Sequence, residues 1–391
     1  MKYLRRVERM YGSNEGITLV ELLIVLALSL VLGTGIYQVF VGTTRSYSLN
    51  EELARLQEDG RMAMNFLRTE IRGAGYLGCL QDVNSVVNVL QNPDNFTVNF
   101  TGSAIYGLEA DNNKWKDNAN SDIDPTTSGL NGMGLNPEPL HGSDILVIRG
   151  VRSDLPSMEI KPHSSGNSAS DPDPDDSSKG SPTFHLTSDN LGFQLENDSI
   201  IFISDCSAAA VLKIHRHNDN AGTIVYNSGG NQPRNDKDKF SALRNIVDNG
   251  LPAEVFLYHT AIYYVGEDPV TSEPTLFTQS RPGSTQAQAI ISGVENFQVR
   301  YGEDTTGDGM VNRYADADEI EISSTVNNWE NVLSVRIGLL LRTPESRDPT
   351  APVDTAEYDV SGDGTTDFTA PGDRRMRMVF SGTVGLRNRI R

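Results

Sequence analysis

Three groups of residues in this 391-residue chain have types and spacings that could do chemistry. The first is a single carboxylate, Glu21, set inside the apolar run 17–41, where Thr18, Ser29, Thr34 and Gln38 are the main other polar interruptions. A carboxylate near the middle of a helix in lipid costs about 2.5–3.5 kcal/mol. Such a residue marks a function or awaits a counter-charge. The second group is a pair of Asp/Gly loops. In "DTTGDGMVNRYADAD", Asp304, Thr306, Asp308 and Asn312 fall at the first, third, fifth and ninth positions of a calcium loop, and Gly309 at the sharp sixth. Ala315 occupies the twelfth, so Asp316 or Asp318 would have to supply the closing oxygen. "DVSGDGTTDF" repeats the pattern with Asp359, Ser361, Asp363, Gly364 and Asp367, and has Ala370 at the twelfth position. Turns joining strands favour the same residues without any metal. Calcium is therefore a candidate cofactor and a metal-free turn the competing reading. The third group is the chain's two cysteines, Cys79 and Cys206.

The elements that must position these residues begin with the N-terminal helix. As an α-helix the 25 residues 17–41 would be about 37 Å long, enough to cross a bilayer. Lys2, Arg5, Arg6 and Arg9 precede the run against Glu8 and Glu15, which places the N-terminus in the cytoplasm and the remainder outside. A cleavable secretory signal has a shorter apolar core and a small-residue cleavage site after it. A plain signal anchor fits the length but leaves Glu21 without a purpose. Beyond the run, Leu49, Leu53, Leu56, Ala63, Leu67 and Ile71 recur at helical spacing as one apolar stripe, until Gly73 and Gly75 end the helix. A short coiled-coil anchor is the alternative, but the stripe stops after a few turns.

Compartment decides the cysteines. On the far side of a membrane, two lone cysteines 127 residues apart are read as one disulfide, Cys79–Cys206.

The body reads as strands between long loops. Candidates are residues 144–151, 199–204, 211–217, 223–227, 254–265, 289–301, 331–342 and 376–387, several alternating apolar and polar residues. An antiparallel sheet packed on the amphipathic half of the helix gives an α+β domain. The acidic, proline-broken stretch 164–183 and the polar stretch 111–139 read as flexible loops. A net charge of −19 disfavours general nucleic-acid binding. The arginines 374, 375, 377, 387, 389 and 391 are read as neutralising the acidic body or a neighbouring subunit, in preference to the alternative of touching DNA during uptake. The sequence holds no nucleophile elbow, zinc-protease helix, P-loop or dinucleotide fingerprint after a strand. His215 and His217 share one side of a strand without an evident third ligand. No catalytic residues are assigned, and an anchored periplasmic enzyme or receptor is the least favoured reading.

The stretch "GITLVELL" from Gly16 to Leu23 resembles the type IV prepilin signal. The blocks "RGAGYLGC", "FISDCSAAAVLKI", "GVENFQVRYG" and "NVLSVRIGLLLRT", in that order, resemble the PilW family of minor pilins. The resemblance implies a leader at 1–16, a membrane and filament-core helix at 17–42, an amphipathic spine half at 43–75 and a β-rich pilin domain at 76–391. It implies cleavage by a prepilin peptidase between Gly16 and Ile17 and N-methylation of Ile17. Glu21, fifth in the processed chain, would pair with the N-terminal amine of a neighbouring subunit. Two opposite charges in lipid are costly apart and tolerable together. The implied partners are other minor pilins, the major pilin and a tip adhesin. The implied place is the inner membrane before assembly and the pilus tip after it, with roles in adhesion, twitching motility or DNA uptake. A minor pseudopilin of type II secretion shares the same N-terminus and remains the alternative. Ile17 in place of the commoner phenylalanine and a somewhat long leader are departures from the pattern.

Overall fold

The structure, a computed structural model, describes residues 16–80, 85–92, 103–111, 113–117, 121–127, 132–152, 155–161, 183–187, 195–218, 222–230, 233–247, 251–281, 286–320, 328–346 and 350–388. It divides into two compact units, Met1–Arg55 and Leu56–Arg391. The helix α1 (Leu19–Gly73) begins in the first and ends in the second.

In the first unit the apolar side chains of α1 face outward, with Leu23, Ile24, Val31, Leu32, Ile36 and Phe40 all more than half exposed. The polar interruptions are satisfied locally. Ser29 Oγ donates to the Leu26 carbonyl oxygen at 3.0 Å, and Thr34 Oγ1 to that of Val31 at 2.8 Å. Thr43 and Thr44 donate likewise to the carbonyl oxygen of Phe40. A hydroxyl bonded to its own preceding turn keeps no unmet polar group, so these residues fit an apolar surround.

In the second unit α1 buries Leu56, Gly60, Ala63, Met64, Leu67 and Ile71 along one face. The apolar stripe read from sequence starts earlier, at Leu49, but Leu49 is exposed and Leu53 only partly buried. Helical spacing continues unchanged past the end of the protein surface that covers it, so spacing alone overextends the buried stripe. Gly75, at φ +69°, makes the turn after the helix, and its N–H donates to the Arg149 carbonyl oxygen at 2.9 Å.

Ten longer strands organise this unit: β1 (Ile105–Asp111), β2 (Ile145–Val151), β3 (Ile200–Ser204), β4 (Ala209–Lys213), β5 (Glu254–Glu267), β6 (Pro274–Arg281), β7 (Gln288–Ser292), β8 (Val294–Glu303), β9 (Val332–Arg342) and β10 (Arg377–Gly385). Strand β5 is the hub of the large sheet. Its first residues pair with β3, its middle with β2 and its end with β6, all antiparallel. Strands β8, β9 and β10 form the core of a second, antiparallel sheet, with β9 central. A shared apolar cluster joins Leu67 and Ile71 of α1 to Phe297 and Tyr301 of β8 and to Ile337 and Leu339 of β9. That burial is the α+β arrangement anticipated from the helix stripe and the strand alternation.

Two strands differ from their sequence bounds for clear reasons. The run 289–301 breaks at Gly293 into β7 and β8, which belong to different sheets. Gly293 has φ +83°, and a Cβ there would stand 2.9 Å from the Arg342 carbonyl oxygen, so glycine alone turns this corner. The run 211–217 also divides. Strand β4 ends at Lys213, and Arg216–Asn218 pairs instead with Thr223–Val225 in a small separate sheet. Part of the stretch 111–139 is ordered: Lys114–Lys116 pairs with β1 and buries Trp115. Most of 164–183 lies outside the described residues.

Candidate functional site

Helix α1 starts on a reciprocal cap. The Thr18 N–H donates to Glu21 Oε2 at 3.0 Å, Thr18 Oγ1 donates to the same oxygen at 3.0 Å, and the Glu21 N–H donates to Thr18 Oγ1 at 3.3 Å. Thr-x-x-Glu is a capping box, in which threonine and glutamate satisfy amides that the first turn leaves without partners. This role of Glu21 was missed in the reading of its charge, although Thr18 stands three residues before it. Gly16 and Ile17 lie just before the helix, with Ile17 76% exposed, so the bond between them is sterically open.

Cys79 and Cys206 are bonded, with Cα atoms 5.1 Å apart and 127 residues of separation. The two half-cystines come from the segment after α1 and from the turn between β3 and β4. That turn is tied by Asp205 Oδ1, which accepts the N–H groups of Ser207 and Ala208 at 2.8 and 2.7 Å. On the other side, Gly78 leaves room for Phe256, whose Cζ would lie 2.9 Å from a Cβ at that position. The disulfide therefore joins the end of the helix to the large sheet.

The Asp/Gly loops fold as sharp turns around their own carboxylates. Asp304 Oδ1 accepts the N–H groups of Thr306 and Gly307 at 3.0 and 2.6 Å, and Oδ2 accepts that of Gly309 at 2.7 Å. Asn312 Oδ1 accepts the Thr305 N–H at 2.8 Å, and Asp308 Oδ1 accepts that of Met310 at 2.9 Å. In the second loop Asp359 accepts Gly362 and Gly364 at 2.6 and 2.9 Å, while Asp367 Oδ2 accepts Val360 and Ser361 at 2.7 Å each. Gly309 and Gly364 have φ of +80° and +94°, the conformation their sixth-position role requires.

Arginine answers the remaining charge. Arg300 of β8 and Arg336 of β9 are cross-strand partners on one face of the second sheet. Like charges placed opposite each other are unfavourable unless countered. Arg300 Nε donates to Asp316 Oδ1 at 2.7 Å, and its Nη1 lies 3.7 Å from Asp363 Oδ2. Arg336 Nη1 donates to the Gly362 carbonyl oxygen at 3.3 Å and its guanidinium lies 4.4 Å from the Tyr314 ring centre. Burial raises Asp316 above the ordinary carboxylate range despite Arg300. Asp318 is raised too, by burial first and then by Glu319, and makes no part of the Asp304 turn. The calcium reading finds no support in this arrangement. Asp316, one of its two candidate closing ligands, is held by a guanidinium, and among the described residues no group of three or more His, Cys, Asp or Glu side chains converges as a metal site. His215 and His217 gain no third ligand there.

A second arginine site went unread in the sequence. Arg377, at the start of β10, has a fully buried side chain and pairs with Glu295 at 2.6 Å, Asp373 at 2.6 Å and Asp354 at 3.0 Å. Arg342 joins Glu295 to Glu273 beside it. The C-terminal arginines were read as neutralising the acidic body, and Arg375 and Arg377 do so internally; Arg389 and Arg391 lie outside the described residues.

Among the described residues, these sites are a helix cap, a disulfide and ion networks. Residues 262–388, from β5 through β10, match the family model of the Type IV Pilus-assembly protein W, PilW. Among solved structures, the chain is similar to a type IV-like pilin from Thermus thermophilus, at 19% identity over 34% of this chain and 70% of that one, with a TM-score of 0.24. No curated protein matches the chain. The family match supports a role in type IV pilus assembly.

Proposed function

We propose that this chain is a minor pilin of a type IV pilus, held in the inner membrane before assembly and placed in the priming or tip complex afterwards. A prepilin peptidase cuts between Gly16 and Ile17 and methylates the new amine of Ile17. The apolar half of α1 packs among the helices of other minor pilins and the major pilin, and a tip adhesin sits on the assembled complex. The observation that carries this reading is the PilW-family match over residues 262–388 in a chain whose N-terminal helix exposes a continuous apolar surface. Exposed apolar area of that extent is unfavourable in water and is a membrane or protein interaction surface.

Glu21 docks subunits by pairing with a neighbour's N-terminal amine. The capping box keeps its carboxylate hydrogen-bonded until that partner arrives, which lowers the cost of holding it in lipid. Cleavage would create the complementary charge on Ile17, next to the capping Thr18.

Intact mass and N-terminal sequencing of the protein from membranes that contain a prepilin peptidase test this reading. A chain beginning at N-methylated Ile17 supports it. A chain still carrying residues 1–16 overturns it and makes the helix a plain anchor. Glu21→Ala should insert normally yet fail to enter pili, and normal piliation in that variant would remove the docking role.

A further inference from the structure

Strand β10 is an open edge of the second sheet. It pairs with β9 on one side, and among the described residues no strand pairs with its other side. The register fixes which backbone groups face out. The Leu386 N–H donates to the Leu333 carbonyl oxygen at 2.8 Å, and the Thr343 N–H to that of Met376 at 2.9 Å. Bonded residues alternate along an antiparallel pair, so Met378, Phe380, Gly382 and Val384 turn their N–H and C=O groups to β9. Val379, Ser381 and Thr383 turn theirs away from the sheet.

Edge strands are ordinarily guarded by charge, proline, a bulge or shortness. Strand β10 has none of these guards along most of its length. It runs for nine residues, and its pairing to β9 shows no register shift. From Met378 to Gly385 it contains neither a charged residue nor a proline. The opposite edge of the same sheet, Arg313–Ala315, is by contrast three residues long and opens on a charge.

Helix α1 gives this edge its charge. A Cβ on Gly382 would stand 2.6 Å from Arg68 Nη2 and 3.1 Å from Met64 Cε, so Arg68 lies over β10. Helical spacing puts Arg61 and Arg72 on the same side of α1 as Arg68. Glu70 stands on the other side, where it accepts the Tyr263 hydroxyl of β5 at 3.1 Å. Among the described residues, Arg61, Arg68 and Arg72 form no ion pair with a carboxylate. Arg387, just past the end of the strand, is exposed. In a chain of net charge −19, arginines thus line an unpaired strand.

We propose that β10 docks an extended acidic segment of another protein as an added strand. The outward N–H and C=O groups of Val379, Ser381 and Thr383 supply the main-chain pairing, and alternate side chains of the guest supply specificity. The guest residue opposite Gly382 meets the Arg68 guanidinium and is an acid. The one opposite Phe380, on the same face, is apolar, because it extends the contact between the half-buried Phe380 ring and Gly60. A second copy of this chain is a poor occupant. Pairing β10 with β10 would bring the same arginines against one another, which is unfavourable.

The experiment follows, by fluorescence anisotropy, the binding of a labelled peptide of about nine residues to the full chain in detergent. The peptide has threonine at alternate positions, with glutamate and valine by turns between them; a control carries lysine for glutamate. The acidic peptide should bind, and the lysine control should bind about tenfold more weakly or worse. Ser381→Pro removes an outward N–H, leaves the ladder to β9 in place, and should weaken binding by about tenfold. Arg68→Gln should reduce the preference for glutamate over lysine. No binding of the acidic peptide, equal binding of the two, or binding that ignores Ser381→Pro overturns the proposal. So does a wild-type dimer that Ser381→Pro dissociates, since the edge then belongs to a second copy. If Ser381→Pro does not fold, hydrogen exchange on wild type decides. The acidic peptide should slow exchange of the Val379, Ser381 and Thr383 amides, and unchanged rates at those positions overturn the proposal.

Discussion

Gly60 of α1 lies against the ring of Phe380 in β10, so closely that a Cβ on Gly60 would stand 2.3 Å from the ring's Cζ. A glycine inside a helix normally costs about 1 kcal/mol relative to alanine. Here it lets the helix meet the edge strand of the second sheet. Gly60→Ala should therefore destabilise the globular unit by about 1–3 kcal/mol through overpacking, despite its better helix propensity. Gly35→Ala is the control, since nothing lies within 4 Å of its Cβ position. Urea unfolding followed by circular dichroism compares them. A Gly60→Ala variant as stable as wild type would mean that Phe380 yields without cost.

The Cys79–Cys206 bond closes a 127-residue span between helix end and large sheet. Chain entropy for a loop of that length gives about 4–5 kcal/mol, and loss of a native disulfide typically costs about 2–5 kcal/mol. The double variant Cys79→Ser/Cys206→Ser should lose stability in that range. Thiol counting on native wild-type protein should find no free thiol, and two free thiols would refute the bond.

Arg377 is buried among Glu295, Asp354 and Asp373. Its removal leaves carboxylates without their counter-charge, which costs about 3–5 kcal/mol in buried sites. Arg377→Lys should rescue only part of that loss, because an ammonium cannot present the guanidinium's fork to several acids. The hydrogen bond from Arg377 holds Asp373 below its ordinary 3.8. Folded protein then binds fewer protons at Asp373 than unfolded protein, so this stabilisation is present above that value and is lost as pH falls. Acid titration of Arg377→Ala should show a shallower decline in that region than wild type.

The acidic loops carry their own test. Because Asp304 and Asp359 hold backbone amides and Arg300 holds Asp316, calcium at millimolar concentration should raise the melting temperature no more than magnesium does. Chelator should leave it unchanged. Arg300→Gln should lower it, by freeing Asp316 and Asp363 from their cation. A calcium-specific rise would show that the loops leave the arginines to enclose an ion.

Much of the scaffold was legible from residue pattern. The apolar stripe of α1, the glycines after it and the alternation in β8 and β9 follow from backbone periodicity, which is local. Strands β1 and β6 were not legible. "IYGLEAD" carries a glycine and two acids, and "PTLFTQSR" opens on proline, so neither alternates cleanly; pairing to β2 and β5 makes them strands. The same limit affected the acidic loops. Their positions one to nine could be counted in the sequence, but the guanidinium that faces them comes from a strand whose register was unknown.

By itself, the sequence determined the long helix with its polar start, the single possible cysteine pairing, the α+β class and the turn-forming glycines. Each rests on neighbours in the chain or on a count with one solution. Tertiary structure alone decided where the buried stripe of α1 begins, which sheet each half of the run around Gly293 joins, and which charges meet. Those outcomes depend on residues brought together from distant parts of the chain. Arg300 faces Asp363, and Asp144 bonds Val299, because strand register places them there.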